Sequence, residues 1–408
     1  MRLFAVLAVV AACGGGGALP DSAIVDVEPD SFVCQPIGAL PTFQRLGGNP
    51  ALVAGEHIYS DLQVDTSIAD PSLSWSAAAQ VFDLYYATRH ATTYADTGVQ
   101  EIRHGQSADL SGFSLDDEPS LVANPDPNAW DNINTETPTV VFNPDAPPAQ
   151  RYLMMYSGAN AAFAYASGFQ NYSIGAAFSE DGKHFSRITA DQSPHGQLGL
   201  VFTGQDAYPT AVGAIVADPE LALVDGTFHL WFSSYACGGA GCLPTAYGIG
   251  HATSSDGIHW TVAETPVASL LFDAGNPVTG GSQPSVIYDP LHCLWEMWIS
   301  DPPVDTETQP VQFNNMAGPW HATSTDGVTW TPDYAGMTRD LTWSSLAPGE
   351  DRGLLTGPDI AINGDARYMA YVGFSDQDVP ADFYLPDMSS AGFESAVMTL
   401  DIATRGAF

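Results

Sequence analysis

The feature that most constrains this chain is a proline-led strand motif that occurs five times. In each copy a dipeptide ending in proline precedes an apolar run, at residues 70–75, 137–142, 218–223, 283–288 and 357–362. The prolines are 67, 81, 65 and 74 residues apart, and an aromatic-rich run follows each copy. Because proline is tolerated at the first residue of a strand but rarely within a sheet, each motif predicts the start of a strand.

A second repeated motif predicts hairpins within the same units. Residues 174–185, 249–260 and 319–330 each contain Ser-x-Asp-Gly, with an aromatic residue three positions after the glycine. Asp-Gly between β-rich runs is a strong hairpin signal, since a type I′ turn requires positive φ at both central residues. We expect the serine to hydrogen-bond the turn backbone and the aromatic residue to pack across the hairpin. A weaker copy lies at residues 104–109.

The two motifs together indicate a repeated unit of strand, strand, strand, turn, strand. Four-stranded units arranged radially are the blades of a propeller, so we predict an all-β fold, a five-bladed β-propeller with four-stranded antiparallel blades. Common repeat propellers use about 40–50 residues in each blade, and the longer units here indicate long loops. Loops on a rigid scaffold are where binding specificity is expected to reside.

The N-terminus predicts export from the cell. Arg2, an apolar run over residues 3–12 and the small residues after it have the order of a signal peptide. Residues 10–13, Val-Ala-Ala-Cys, resemble the bacterial lipobox, in which the cysteine is lipidated; the alternative is an ordinary signal peptide with an incidental cysteine. We therefore expect a signal peptide over 1–12, lipidated Cys13 with a glycine-rich tether and extension over 13–47, and the propeller over 48–408.

This organisation implies an exported bacterial lipoprotein of the cell envelope, at the outer membrane or cell surface. We expect a monomer that is attached to the membrane only through its lipid anchor. The formal net charge of −36, with Lys183 as the single lysine, argues against nucleic-acid binding because such a surface repels phosphate. The acidity would attract Ca²⁺, although solubility in a salty or extracellular medium is the interpretation we favour, and no cofactor is required.

Four further cysteines are compatible with an oxidising compartment. Cys237 and Cys242 bracket a Gly-Gly-Ala-Gly loop that could close a small disulfide, and Cys34 and Cys293 would then pair by elimination. The sequence alone leaves the connectivity open. A zinc site is less favoured, because Cys237 and Cys242 lack a second close-spaced pair of cysteine or histidine residues.

The repeats resemble those of the five-bladed propeller glycoside hydrolases. That group includes arabinanases and β-xylosidases, with invertases, levansucrases and mannoside phosphorylases as relatives. The Asp-Pro strand starts and the Ile-Gly-x-Ala-x-Ser-x-Asp-Gly-x-x-Trp hairpins carry the resemblance over most of the chain. The resemblance is more specific for the fold than for the activity, because propellers host many functions.

The resemblance implies a cluster of carboxylates where the first strands of the blades meet near the axis. Asp70, in Asp-Pro, matches the general base or nucleophile of the family. Blade two has Thr137 where the family usually has aspartate, with Glu136 one residue earlier, and blade three has Asp218 before its proline. Glu220, after that proline, is the substitute candidate for the acid. Glycoside cleavage requires one protonated and one ionised carboxyl, which clustering in a recessed site provides.

Several other residues are candidate ligands. Gln283 and Asp359 flank the prolines of blades four and five and are expected to hydrogen-bond sugar, while Trp130 is expected to stack on a sugar ring. His251 and His321 stand at one repeat position. Some members of the resembled family hold a central cation near a histidine, which makes these two residues candidate metal ligands. The alternative, which we favour, is that they pack between blades.

The leading hypothesis is a glycoside hydrolase that acts on an extracellular poly- or oligosaccharide by paired-carboxylate acid/base chemistry, as arabinanases, xylosidases and fructosidases do. The alternative is a non-catalytic propeller lipoprotein that binds glycan or protein. The missing aspartate of blade two and the missing glutamate of blade three favour this alternative. A phosphorylase is least favoured, since few arginines and lysines are available to hold phosphate.

Overall fold

The computed structural model describes residues 34–35, 42–92, 100–160, 171–210, 213–237, 244–263, 282–300, 319–332, 356–375 and 397–406. The predicted signal peptide, Cys13 and Cys242 lie outside them. Helix in the described residues is limited to α1 (Gly204–Ala207) and a 3₁₀ turn (Pro148–Gln150). None of these helices is long and apolar enough to cross a membrane.

The strands form five antiparallel sheets, one for each proline motif, and this confirms the predicted five-bladed β-propeller. Three short strands come first: β1 (Gln44–Arg45), β2 (Leu52–Val53) and β3 (Val64–Asp65). Blade one contains β4 (Ala69–Ser76), β5 (Val81–Ala91), β6 (Gln100–Ser107) and β7 (Ser114–Leu115), with β3 beside β5. Blade two contains β8 (Asn134–Phe142), β9 (Tyr152–Ala159), β10 (Ser173–Ser179) and β11 (Ser186–Arg187), with β12 (Leu200–Phe202) beside β10.

The other three blades follow the same order. Blade three contains β13 (Ile215–Val224), β14 (Thr227–Cys237), β15 (Pro244–Ser254) and β16 (Thr261–Val262). Blade four contains β17 (Ser282–Asp289), β18 (Leu294–Ser300), β19 (Trp320–Ser324) and β20 (Thr331–Pro332). Blade five contains β21 (Thr356–Asn363), β22 (Ala366–Ser375) and β23 (Val397–Arg405). The innermost strands contact one another in a ring, in the order β4, β8, β13, β17, β21 and back to β4.

The two ends of the chain close the ring together. Blade five takes its outer strand from the N-terminal side, because β1 pairs with β23, and β2 also pairs with β23. The side chain of Asn49 fastens the same strand, since its amide nitrogen donates to the carbonyl of Ile402 and its oxygen accepts the Ile402 N–H, both at 2.8 Å. Strand β1 begins before residue 48, at which the sequence placed the start of the propeller.

Each motif proline lies inside its innermost strand rather than at the strand's first residue. In blade one, Ala69 pairs with Ala87 and Ser72 with Tyr85, so one extra residue sits between the two pairs. The same register shift occurs at the motif of every other blade. Such a β-bulge bends the strand, and proline is accepted there because the innermost edge has no further strand to receive an N–H.

The Asp-Gly turns occur where the sequence predicts them, but they are not type I′. Gly182 has a φ of +75°, whereas Asp181 is not among the residues with positive φ. The Oγ of Ser179 accepts the N–H groups of Asp181 and Gly182, and the Asp181 carboxylate accepts the N–H of Lys183. The turns at Asp256 and Asp326 repeat these bonds. The side-chain acceptors satisfy the turn backbone, so positive φ is needed only at the glycine.

Two of these turns also hydrogen-bond to the preceding blade. The hydroxyl of Tyr85 in blade one donates to the carbonyl of Gly182 in blade two, at 2.5 Å. The indole N–H of Trp231 in blade three donates to the carbonyl of Gly327 in blade four, at 3.1 Å. Phe185, the aromatic residue after the first turn, packs on Tyr85 of blade one. The repeated motif therefore holds the blades together as well as reversing the chain.

Five hydrophobic clusters fill the five interfaces between neighbouring blades. Trp231 and Trp298 are fully buried in two of them. Burial of a large apolar side chain contributes about 1.5–3 kcal/mol, so the packing between blades is a major source of stability.

A buried ionic network adds to the interface between blades four and five. Glu296 on β18 accepts hydrogen bonds from Arg367 on β22 and Arg405 on β23, each at 2.7 Å. All three side chains are at most 1% exposed. Asp289, at the end of β17, also bonds Arg367 and pairs with His292 at 2.7 Å. The network ties the last two blades together through charge.

The disulfide between Cys34 and Cys293 is present, as predicted, and closes 259 residues of sequence. The Gln35 N–H donates to the Leu291 carbonyl beside it, at 3.1 Å. A native disulfide typically stabilises a fold by about 2–4 kcal/mol. The bond therefore holds the N-terminal segment on the turn between β17 and β18. The predicted Cys237–Cys242 pair lies outside the described side chains.

Candidate functional site

The five residues before the motif prolines share one unusual backbone conformation. Their φ values are +50° at Asp70, +46° at Thr137, +49° at Asp218, +50° at Gln283 and +56° at Gly357. Glycine adopts this left-handed region freely, whereas a β-branched residue rarely does. Each strained non-glycine residue costs about 1–3 kcal/mol, and such residues cluster at functional sites. The bulges therefore hold four strained residues at one end of the propeller axis.

These five residues line a small cavity on the axis. Their prolines, Glu220 and Asp359 complete the lining, and the cavity volume is about 30 Å³. That volume suits one or two water molecules. A sugar ring is larger, so any sugar at this end of the axis has to bind over the mouth of the cavity.

The structure brings together Asp70, Glu136 and Asp218, from three consecutive blades. All three side chains are half-buried. Burial raises the pKa of Asp70 well above its ordinary value, and the charges of Glu136 and Asp218 raise it further. Burial also raises the pKa of Glu136 to about 7, with Asp218 adding to the rise and the Tyr172 hydroxyl opposing it.

Burial likewise raises the pKa of Asp218, although hydrogen bonds from the Ser233 hydroxyl and the Gln283 backbone N–H lower it in part. Carboxylates that repel one another in this way titrate as a group, and the last protons leave it at raised pH. The cluster therefore keeps its protons to higher pH than isolated carboxyl groups do. Acid/base chemistry on a glycosidic bond needs both forms at one site.

Gln283 orients Asp70. Its side-chain Oε1 accepts hydrogen bonds from the Ser300 hydroxyl at 2.9 Å and from the Gly357 N–H at 3.2 Å. Because these donors fix the carbonyl side of the amide, Nε2 is directed to Asp70 and donates to its Oδ1 at 3.1 Å. The backbone N–H of Gln283 donates to Ser233 at 3.0 Å. The sequence predicted Gln283 as a sugar ligand, whereas its contacts make it a support for the carboxylate.

Serines on the second strands support three of the bulges. The Oγ atoms of Ser157, Ser233 and Ser300 accept the N–H of the left-handed residue in the next blade, at Asp218, Gln283 and Gly357, over 2.9, 3.0 and 3.1 Å. Each bond crosses from one blade to the next. The strained backbone is therefore held by contacts outside its own strand, as such strain requires.

A second ring of polar residues lies directly after the motif prolines. It consists of Ser72, Thr139, Glu220, Ser285 and Asp359, all of them buried. Four of these side chains accept a backbone N–H from the innermost strand of the next blade, at Leu221, Val286, Ile360 and Leu73. This ring satisfies backbone donors that would otherwise face the axis without partners. Sequence reasoning missed the ring, although a polar residue after each proline was its signal.

Glu220 and Asp359 belong to this second ring. The carboxylate of Glu220 accepts the Val286 N–H at 3.1 Å, and Asp359 accepts the hydroxyl of Ser285 at 2.8 Å. Burial raises the pKa of Glu220 well above its ordinary value, with the charge of Asp359 adding to the rise. Burial raises the pKa of Asp359 to about 6. Both residues line the same cavity as Asp70 and Asp218, but their carboxylates accept backbone N–H groups of the next blade, which suits a structural role.

The two histidines predicted as metal ligands lie away from the axial cavity. His251 Nε2 lies 3.2 Å from His229 Nδ1, and its ring stacks on Trp231. His321 Nε2 lies 3.2 Å from Glu296, in the network between blades four and five. Across the part of the chain that the structure describes, no group of three histidine, cysteine, aspartate or glutamate side chains is placed to hold a metal ion. Both histidines therefore contact side chains of their own blade, next to its interface with the following blade.

Trp130 lies on the flank of blade two rather than at the axial cavity. Its ring stacks on Tyr156, with centroids 5.7 Å apart, and its Nε1 donates to the Leu198 carbonyl at 2.9 Å. Trp130 lines a separate cavity of about 270 Å³. Its predicted role in stacking on sugar therefore concerns a different surface from that of the carboxylates.

No protein-family model matches this sequence, and no curated protein matches it. Solved structures do resemble it: a glycoside hydrolase has a TM-score of 0.55 at 14% identity, over 90% of this chain and 92% of the other. A thermostable family-43 glycoside hydrolase has a TM-score of 0.51 at 14% identity, over 88% and 93%. The chain has the propeller fold of these glycoside hydrolases. The sequence repeats predicted a resemblance to that group, and the structure confirms it at the level of the fold.

The same fold also hosts other chemistry. An N-acetylgalactosamine deacetylase from F. plautii, solved in complex with blood group B trisaccharide, has a TM-score of 0.56 at 14% identity, over 90% of this chain and 96% of the other. At such identities the similarity establishes the fold alone. The chemistry has to be argued from the side chains at the axis.

Proposed function

We propose that this protein is a glycoside hydrolase that cleaves an extracellular poly- or oligosaccharide at the carboxylate cluster. The observation that carries the proposal is the convergence of Asp70, Glu136 and Asp218 from three blades, with all three pKa values raised. Hydrolysis of a glycosidic bond requires a proton donor and an ionised carboxylate at one site. The trisaccharide in the similar deacetylase structure is in line with a carbohydrate ligand.

Glu136 is the group best suited to be the general acid. With a pKa of about 7 it retains a large protonated fraction near neutral pH. Its proton passes to the oxygen of the leaving sugar as the glycosidic bond breaks. Once Glu136 holds the proton, the repulsion on Asp70 falls, and the amide donor from Gln283 opposes the burial that raises the pKa of Asp70. Asp70 then acts as the base: it takes a proton from the water molecule whose oxygen attacks the anomeric carbon and forms the new C–O bond. The charge of Asp218 contributes to the raised pKa values of both groups.

A second candidate function is a propeller that binds glycan without cleaving it. Two departures from the resembled family favour it: Thr137 replaces the aspartate of blade two, and Ala217 stands where the glutamate of blade three is expected. The two functions differ in a simple observable. A hydrolase releases reducing ends from its glycan, whereas a binding protein does not.

The first test is a substrate screen with a variant of the proposed acid. We expect the wild type to release reducing ends from arabinan, xylan or levan, and we expect Glu136→Gln to lower kcat on that glycan by about 10²–10⁴-fold. An aryl glycoside with a dinitrophenolate leaving group needs no proton, so on that substrate the variant should lose far less. Wild-type activity should fall as pH rises through about 7, where Glu136 loses its proton.

Two outcomes would contradict this assignment. If no glycan is cleaved but one is bound, the binding function replaces the hydrolase. If Glu136→Gln lowers kcat equally on the polymer and on the activated aryl glycoside, Glu136 is not the acid. Glu180→Gln, which changes an exposed glutamate, serves as the control for the substitution itself.

A second test concerns the support of Asp70 by Gln283. Gln283→Ala removes the amide donor that favours ionised Asp70. We expect the pKa of Asp70 to rise and the acidic limb of the kcat/KM profile to move to higher pH by about one unit, as for the loss of one hydrogen bond to a charged group. Gln80→Ala is the matched control, because Gln80 is an exposed glutamine with a φ of +57°. An unshifted acidic limb would remove Gln283 from the mechanism.

A further inference from the structure

We propose that the surface around Trp130 is a second sugar-binding subsite, which holds a polysaccharide chain that extends from the carboxylate cluster across blade two. We call this surface the Trp130 platform; it consists of Asn124, Asp126, Asn128, Trp130, Gln197 and Leu198. The inference rests on the proposed function for its ligand class, a glycan. It goes beyond that function because it assigns a separate site and implies a polymeric substrate.

The indole ring of Trp130 is held rigidly. It stacks on Tyr156 at an interplanar angle of 25°, and Nε1 donates to the Leu198 carbonyl. Gly158 lies against the ring, and a Cβ at that position would be 2.4 Å from the nearest indole carbon. The close approach explains the glycine in the middle of a sheet. Trp130 is thus positioned before any ligand binds.

A buried cluster supports the platform from behind. Asp131, the residue after Trp130, is fully buried and accepts hydrogen bonds from Tyr156 at 2.9 Å and Arg187 at 2.7 Å. The Arg187 guanidinium also lies over the Tyr156 ring, 5.5 Å from its centroid. The ring beneath Trp130 is therefore fixed by a charged network. A surface that is ordered in advance binds more tightly, because less entropy is lost on binding.

The lining of the cavity has the chemistry of a sugar site. Its volume of about 270 Å³ suits one or two sugar rings, since sites for drug-sized ligands begin at about 300 Å³. The amides of Asn124, Asn128 and Gln197 offer both donors and acceptors, which match the hydroxyl groups of a sugar. Leu198, 44% exposed, and the indole offer apolar surface for the C–H face of the ring.

The platform lies at the same end of the propeller as the carboxylates. Gly158, which contacts Trp130, directly follows Ser157, and Ser157 is the ladder partner of Glu136 on the neighbouring strand. Strands are about 4.8 Å apart, so Gly158, against which the indole packs, lies about one strand spacing from the backbone of the proposed acid. A chain that leaves the axis over blade two would pass the platform. This placement favours a polysaccharide over a free disaccharide as substrate.

The test compares a long and a short substrate of the same sugar. The pairs are arabinan with 4-nitrophenyl α-L-arabinofuranoside, xylan with 4-nitrophenyl β-D-xyloside, and levan with sucrose. For the pair that the wild type cleaves, we expect Trp130→Ala to lower kcat/KM on the polymer about tenfold, mainly through KM, with the short substrate within twofold of wild type. Gln197→Ala, an exposed position, should lower polymer kcat/KM in the same direction without disturbing the core.

A binding measurement separates this inference from the proposed hydrolysis. In native gels that contain each polymer, a retarded wild type and a Trp130→Ala variant that is not retarded support the platform even if no glycan is cleaved. Equal effects of Trp130→Ala on the long and short substrates would overturn the inference, and so would wild-type protein that is neither retarded by nor active on any polymer. Phe142→Ala, a half-exposed aromatic at the other end of β8, is the control.

Discussion

Asp70→Asn is expected to lower glycan hydrolysis by about 10³-fold, within the range for loss of an acid/base group, and to leave the fold at least as stable as wild type. The substituted amide keeps the shape of the side chain but supplies neither an ionised oxygen nor a base. Asparagine also tolerates the φ of +50° at this position. The measurements are initial rates on the polymer cleaved by the wild type and the unfolding temperature of both proteins.

The stability half of this prediction follows from the raised pKa of Asp70. A carboxyl group whose pKa is higher in the folded than in the unfolded state is favoured in its neutral form. Such a group opposes folding as the pH rises, because it then ionises beside Glu136 and Asp218. A neutral amide removes that repulsion at neutral pH. Asp225→Asn is the matched control, because Asp225 has a φ of +49° but is exposed in the turn between β13 and β14.

Two results would contradict the assignment of Asp70. Activity within twofold of wild type would show that the carboxylate does not take part in catalysis. A large drop in unfolding temperature together with lost activity would show that Asp70 stabilises the bulge rather than taking part in the reaction. After the second result, Glu136 and Asp218, the other two carboxyl groups of the cluster, would be the candidates to test.

The number of blades could be predicted because one proline motif occurs in each of them. Positions related by such a repeat occupy equivalent places around one axis, so the residues flanking the prolines had to converge. Asp70, Glu136, Asp218 and Gln283 accordingly lie at one end of the propeller. This convergence required no knowledge of the individual contacts.

The local geometry of the motif could not be predicted in the same way. Proline usually marks the first residue of a strand, whereas Pro71 is the third residue of β4 and Pro138 the fifth of β8. The bulge that accommodates them depends on pairing with the second strand, which the sequence does not encode locally. The type I′ prediction was wrong for a related reason, since serine and aspartate side chains replace the backbone bonds of that turn.

The directions of several side chains also could not be predicted from the sequence. His251 and His321 share a repeat position, and both contact side chains of their own blade rather than lining the axial cavity. Glu220 and Asp359 lie two residues after the left-handed residues, and the bulge places them in the buried second ring. A one-residue change of register decides which face a strand residue occupies. The convergence of the candidate residues could therefore be predicted, whereas their division between a half-buried cluster and a buried ring that accepts backbone N–H groups could not.

Glu296→Gln is expected to destabilise the fold strongly, although it lies far from the carboxylate cluster. Glu296 is fully buried and bonds both Arg367 and Arg405, so the neutral amide leaves two buried guanidinium groups short of negative charge. Removing one partner of a buried ion pair typically lowers the free energy of unfolding by about 3–5 kcal/mol. We expect a loss of that size in the free energy of unfolding at pH 7, measured by urea denaturation, with the exposed Glu180→Gln unchanged.

The pH dependence of that loss provides a stricter check. Burial pushes the pKa of Glu296 upward, but the hydrogen bond from His321 and the charges of Arg367 and Arg405 outweigh it and lower the pKa from 4.5 to about 2. Because the pKa of Glu296 is lower in the folded than in the unfolded state, its ionised carboxylate stabilises the fold above about pH 4.5. That contribution is lost as the pH falls toward about 2. Wild type and variant should therefore converge in unfolding temperature as pH falls through this range. A difference that stays constant down to the lowest pH at which both fold would show that the network does not act through the charge of Glu296.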